Sequence, residues 1–146
     1  MMNMKMTLTY FVATIAIIGA GWTATPAQAK DARDSVLAHY QAQADQTGGT
    51  PTIFSAARGK ALFQGQFTTG KPETPSCTSC HMATPTARGR TRAGKEIAPL
   101  AVSATPDRFT DLKKTEKWFL RNCTSVLGRQ CTPVEKGDFI TFMKTK

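Results

Sequence analysis

Cys77, Cys80 and His81 are the residues of this 146-residue chain whose types and spacing could do chemistry together. They stand as C-x-x-C-H, the pattern that attaches a c-type haem. Each part has a chemical reason. Two thiols can add across the two vinyl groups of a haem and leave thioethers, and the two intervening residues set the sulfurs one vinyl-to-vinyl distance apart. The adjacent histidine then lies under the iron and supplies the proximal nitrogen ligand. Other uses of a C-x-x-C pair find less support. A zinc site needs a second pair of ligands, and the only other histidine, His39, lies far upstream. A thioredoxin-like redox pair needs a preceding strand in a βαβ pattern, and neither is legible here.

Covalent haem attachment in bacteria takes place outside the cytoplasm, so the motif calls for an export signal. Lys5 precedes a run from Leu8 to Gly21 that is apolar except for Thr9 and Thr14, and Ala27-Gln28-Ala29 is an A-x-A cleavage site. The run is too short for a spanning helix. An uncleaved anchor is the alternative. The expected organisation is a signal peptide over residues 1–29, a helical extension over 30–50 and one core domain over 51–146, located in the periplasm. That compartment permits disulfides. With Cys77 and Cys80 assigned to haem, Cys123 and Cys131 are left to form a short-loop bridge or to stay as two free thiols.

The formal net charge is +9, and loss of the signal removes one positive charge, Lys5. Basic residues gather at Arg88, Arg90, Arg92 and Lys95 and again at Lys113, Lys114 and Lys117. Nucleic acid does not suit an exported haem protein. A basic face near a haem edge suits docking to an acidic redox partner; a merely solvated surface is the other reading.

The elements that must hold the motif follow from the apolar pattern. Val36, Leu37 and Tyr40 at helical spacing predict an amphipathic helix over Asp31–Ala44, with His39 beside its stripe. Thr47 to Pro51 breaks it. A second helix is expected over Ser55–Gln66, with Ser55 as N-cap, Phe54, Leu62 and Phe63 as anchors and Gly59 for close backbone approach. Thr68–Ser76 is a loop leading to the motif. Pro85, Gly89, Gly94 and Pro99 predict an irregular, haem-wrapping stretch between Met82 and Ser103. A third helix is expected over Asp111–Arg121, followed by a loop from Asn122 closed at Cys131. Thr132-Pro133-Val134-Glu135 then starts a last helix running to about Lys144. Phe139, Ile140, Phe142 and Met143 are its core candidates.

A helix with glycine and Leu-Phe, then C-x-x-C-H, a long loop and two helices resembles the class I cytochromes c. The resemblance implies an all-α fold around one covalent haem c, with the Asp31–Ala44 helix as an extra N-terminal element. Ala98-Pro99-Leu100 resembles that family's Gly-Pro-x-Leu segment, with alanine for glycine and no spacer. It implies that the Pro99 carbonyl accepts a hydrogen bond from the proximal imidazole. Ordinary members use a downstream methionine as sixth ligand. After residue 29 this chain has only Met82, too close to His81 to reach the opposite face, and Met143, in the predicted last helix.

A narrower resemblance runs from about Phe54 to the C-terminus. Arg92-Ala93-Gly94-Lys95, Ile97 to Leu100, Thr105 to Asp111, Glu116-Lys117-Trp118, Arg121-Asn122-Cys123 and Gly128 to Pro133 resemble the SHP-type, high-spin class I cytochromes c. It implies Asn122 as sixth ligand of the oxidised haem, leaving on reduction, and a Cys123–Cys131 disulfide. An asparagine amide is a weak-field donor that is readily displaced, so such an assignment is chemically coherent. Asn122 read by position alone is a helix-end residue, where asparagine is common. The function expected is electron transfer with O2 or NO binding at reduced iron, the partners implied being a dihaem or multihaem cytochrome c and a membrane cytochrome b. The alternatives are a plain carrier ligated by Met143 or a lysine, and a small haem enzyme or gas sensor. Peroxide cleavage would need a distal acid–base group, and His39 is the one spare histidine.

Overall fold

The computed structural model describes residues 31–48 and 52–146; the expected signal segment, residues 1–29, lies outside them. The described residues form α1 (Ala32–Gly48), α2 (Ala56–Gln64), α3 (Thr78–His81), β1 (Gly89–Arg90), β2 (Glu96–Ile97), α4 (Leu112–Leu127) and α5 (Pro133–Lys144). None of these helices is long and apolar enough to cross a membrane.

The core is built where α2 crosses α5. A Cβ on Gly59 would lie 2.1 Å from the Asp138 carbonyl oxygen, so glycine is what allows the two backbones to meet. The buried Asp138 carboxylate then accepts from Ser55 N at 2.6 Å and from Arg58 Nε at 2.6 Å, tying the start of α2 to α5. Ser55 also caps α2, its hydroxyl accepting from Arg58 N. Around the crossing, Phe63, Phe109, Phe119 and Phe139 meet edge to face at centroid distances of 5.6–6.2 Å, the favoured geometry for aromatic pairs. Met143 and Ile140 are fully buried in the same cluster.

α1 packs against this core through Val36, Tyr40 and Ala44, all buried at helical spacing. It runs four residues past the expected Ala44, with the Thr47 hydroxyl donating to Ala44 O at 2.9 Å. The Tyr40 ring rests on Phe119 and carries Lys136 Nζ over its face at 5.2 Å. Lys136 in turn donates to both carboxylate oxygens of Glu116, at 2.9 and 3.0 Å.

Two expectations need correction. α4 does not stop at Arg121. Cys123, Val126 and Leu127 continue the buried stripe begun by Thr115 and Phe119, and the helix ends only at Gly128, in the left-handed region at φ 68°. Asn122 is therefore a mid-helix residue and not the first residue of a loop. The all-α expectation also omitted a small antiparallel ladder in the irregular stretch, pairing Gly89 with Ile97 and Arg90 with Glu96. α5 starts as its sequence demands, with Thr132 and Glu135 forming a reciprocal capping box and Pro133 in the first turn.

Candidate haem site

α3 is a single turn, and its entry is organised by Ser76. The buried Ser76 hydroxyl accepts from Thr78 N at 3.2 Å and from Thr78 Oγ1 at 2.9 Å. The turn closes with His81 N donating to Cys77 O at 3.1 Å. Cys77, Cys80 and His81 thus stand at i, i+3 and i+4, on one face. Met82 turns the chain away at φ 61°. Gly89 of β1 then lies on the motif, where a Cβ would come within 2.2 Å of the Cys80 carbonyl oxygen.

The donor set fits a covalent haem. Both thiols are free and half-buried. Burial pushes the Cys77 thiol up to about 11, so it stays protonated. Burial and the nearby Arg108 guanidinium hold His81 down at about 4. The imidazole is therefore neutral, the form that ligates a metal.

Pro99 lies beside this turn. Leu100 N and Ala101 N both donate to Pro85 O, at 2.9 and 3.0 Å. The Pro99 carbonyl accepts from Thr105 Oγ1 and from Arg108 Nε, each at 2.9 Å, and a second Arg108 nitrogen reaches Ala98 O at 2.6 Å. Among the described residues the His81 ring makes no hydrogen bond to it.

Asn122 is exposed on α4, following Thr115 and Trp118 along one side of the helix. Cys123 beside it is bonded to Cys131, with 5.6 Å between Cα atoms. The last turn of α4 is strapped to the loop that leads into the motif. Lys71 N donates to Ser125 O at 2.7 Å, Thr69 Oγ1 to Leu127 O at 2.7 Å, and Thr74 Oγ1 lies 3.0 Å from Ser125 Oγ. Gly70 lets the loop press on α4, since a Cβ there would be 2.3 Å from Val126 O. The strap joins Asn122's helix to the haem motif, although the structure records no direct contact between Asn122 and Cys77, Cys80 or His81. Met143 is fully buried, Met82 is exposed, and His39 sits on α1 with its ring 3.2 Å from Gln43 Nε2. Sequence reasoning missed Ser76, Gly89, the strap and Arg108. Only Arg108 left a signal, as part of the Thr105–Asp111 segment.

A family model described as a domain of unknown function, DUF1924, matches residues 50–143. The cytochrome c-type protein SHP of Cereibacter sphaeroides is 54% identical over 121 residues, covering 82% of this chain and 89% of that protein. The chain belongs to the SHP-type cytochromes c. SHP-type chains carry haem c, one per chain, and so does this one. The structure of oxidised SHP, an oxygen-binding cytochrome c, superposes with a TM-score of 0.71 at 54% identity, covering 78% of this chain and 96% of that one. The solution structure of Methylophilus methylotrophus cytochrome c″, which bears on haem-ligand detachment, gives a TM-score of 0.67 at 32% identity, covering 78% and 93%.

Proposed function

We propose that this protein is a periplasmic electron-transfer cytochrome whose sixth ligand, Asn122, departs on reduction and leaves a position open to O2 or NO. The fold would be the class I cytochrome c fold, with residues 30–50, including α1, as an extension to a domain over 51–146 and residues 1–29 removed on export. Cys77 and Cys80 would form the thioethers and His81 the proximal bond. The bound haem supplies the redox-active iron; the chain sets what may reach it.

The observation that carries the reading is the contrast between Asn122 and Met143. Met143 is packed with no exposed surface inside the aromatic core, so freeing its sulfur would open a cavity there. Asn122 is exposed on a helix fixed at its far end by a disulfide and a strap. A neutral amide is a weak donor to iron and gives way easily. Its 54% identical relative is an oxygen-binding cytochrome c, and the more distant cytochrome c″ gave insight into haem-ligand detachment. Lys113, Lys117 and Arg121 make an exposed basic stripe on α4, suited to an acidic redox partner such as a dihaem or multihaem cytochrome c or a membrane cytochrome b.

Absorption spectra of oxidised and reduced protein test the assignment. Ferric protein should be high-spin. Ferrous protein should be five-coordinate and take CO rapidly. Asn122→Ala should change the ferric spectrum and leave ferrous CO binding intact. Met143→Leu should leave both unchanged, costing below about 1.5 kcal/mol in packing. A thioether-to-iron charge-transfer band in the near infrared, abolished in Met143→Leu, would instead establish the plain carrier.

A further inference from the structure

We propose that Arg108 is a positioning residue on the proximal side: by occupying the Ala98 and Pro99 carbonyls it keeps the His81 imidazole a weak donor to iron. The proposal rests on His81 being the proximal ligand. A carbonyl oxygen has two lone pairs. Those of Pro99 are both engaged, by Thr105 Oγ1 and Arg108 Nε at 2.9 Å each. An imidazole N–H reaching the same oxygen would be a third donor and would bond poorly.

The carbonyls are held beside the motif from both sides. Ile97, one residue before Ala98, pairs with Gly89, and Gly89 lies against the backbone of Cys80 and His81. Leu100 and Ala101, which follow Pro99, are bonded to Pro85 O. Arg108 itself is braced by α1. Arg33 donates to Pro106 O and to Arg108 O, and Asp31 holds Arg33 at 2.5 Å. This bracing gives α1 a function at the site, reached through the Thr105–Thr110 loop.

Two effects of Arg108 act with one sign. A ligating imidazole that donates strongly through its second nitrogen becomes a more basic ligand; one deprived of that acceptor stays weak. A fixed guanidinium charge near the ring also disfavours the more positive ferric state. Both favour reduced iron, and a weak proximal bond suits a site that loses its sixth ligand on reduction.

The test uses the haem-loaded full chain. In Arg108→Gln and in Thr105→Val, a lone pair of Pro99 is released to the imidazole. The iron–histidine stretching band of ferrous protein, read by resonance Raman, should move to higher frequency in both. The reduction potential should fall further in Arg108→Gln than in Thr105→Val, because only the first removes charge, and Arg108→Lys should fall between wild type and Arg108→Gln. A wild-type band and wild-type potential in Arg108→Gln and Thr105→Val, with only the melting temperature lowered, would reduce Arg108 to a structural staple and overturn the proposal. Should Arg108→Gln fail to fold, Thr105→Val decides alone through the band. Absence of any iron–histidine band in the wild type would instead count against His81 as proximal ligand.

Discussion

At Gly89 a single missing methyl group sets how near the β1–β2 hairpin comes to the Cys80 carbonyl. Gly89→Ala must push the hairpin or α3 aside, since the opposing atom is backbone. Overpacking of this kind costs about 1–3 kcal/mol. The expected outcome is a lower denaturant midpoint together with a reduced fraction of chains carrying haem, measured by absorbance per mole of protein. The same spacing argument explains why Cys77, Cys80 and His81 were legible from sequence. They are local, and one helical turn with His81 N bonded to Cys77 O is enough to put them on one face. Arg108 acts on the same site from 27 positions past His81, through carbonyls whose accessibility no residue pattern reports.

Helix ends show where local signals suffice and where they do not. α5 could be read to the residue because its start is written in four adjacent side chains, and Thr132→Ala should lower stability by about 1 kcal/mol in chemical denaturation. The end of α4 could not. Its terminal carbonyls at Ser125 and Leu127 are satisfied by Lys71 and Thr69, more than fifty residues earlier. A turn-like Val126-Leu127-Gly128 therefore continues a helix. Two-residue strands likewise leave no alternation to detect. The α2–α5 crossing was legible in part, because Gly59 beside Leu62 and Phe63 signals close approach. Gly59→Ala should be among the most destabilising single changes in the chain, with a Cβ 2.1 Å from backbone. A thermal melt of the haem-loaded protein checks this against Ala57→Gly, an exposed site in the same helix, which should lose only about 1 kcal/mol.

Across the molecule, Lys136, Glu116 and Tyr40 join α5, α4 and α1 in one cluster. Burial raises the Glu116 carboxyl, but the hydrogen bonds it accepts outweigh this and hold it below its ordinary value of 4.5. A lowered carboxylate contributes stability above its unfolded pKa and loses it as pH falls through the folded one. Glu116→Gln should thus cost about 1 kcal/mol near neutrality, a modest figure because the carboxylate is partly exposed. The gap to wild type should close as pH drops below 4.5. Reducing Cys123–Cys131 should remove about 2–3 kcal/mol by chain entropy at any pH where the protein folds. The strap between the motif loop and α4 also leaves a mark in solvent exchange. Lys71 lies in a loop, where backbone amides ordinarily trade hydrogen for deuterium quickly, yet its N–H is bonded to Ser125 O at 2.7 Å. That amide should exchange at the pace of α4's own last turn. Followed in oxidised and reduced protein, it becomes a clock on the segment beside Cys77 that reports how often the helix bearing Asn122 opens.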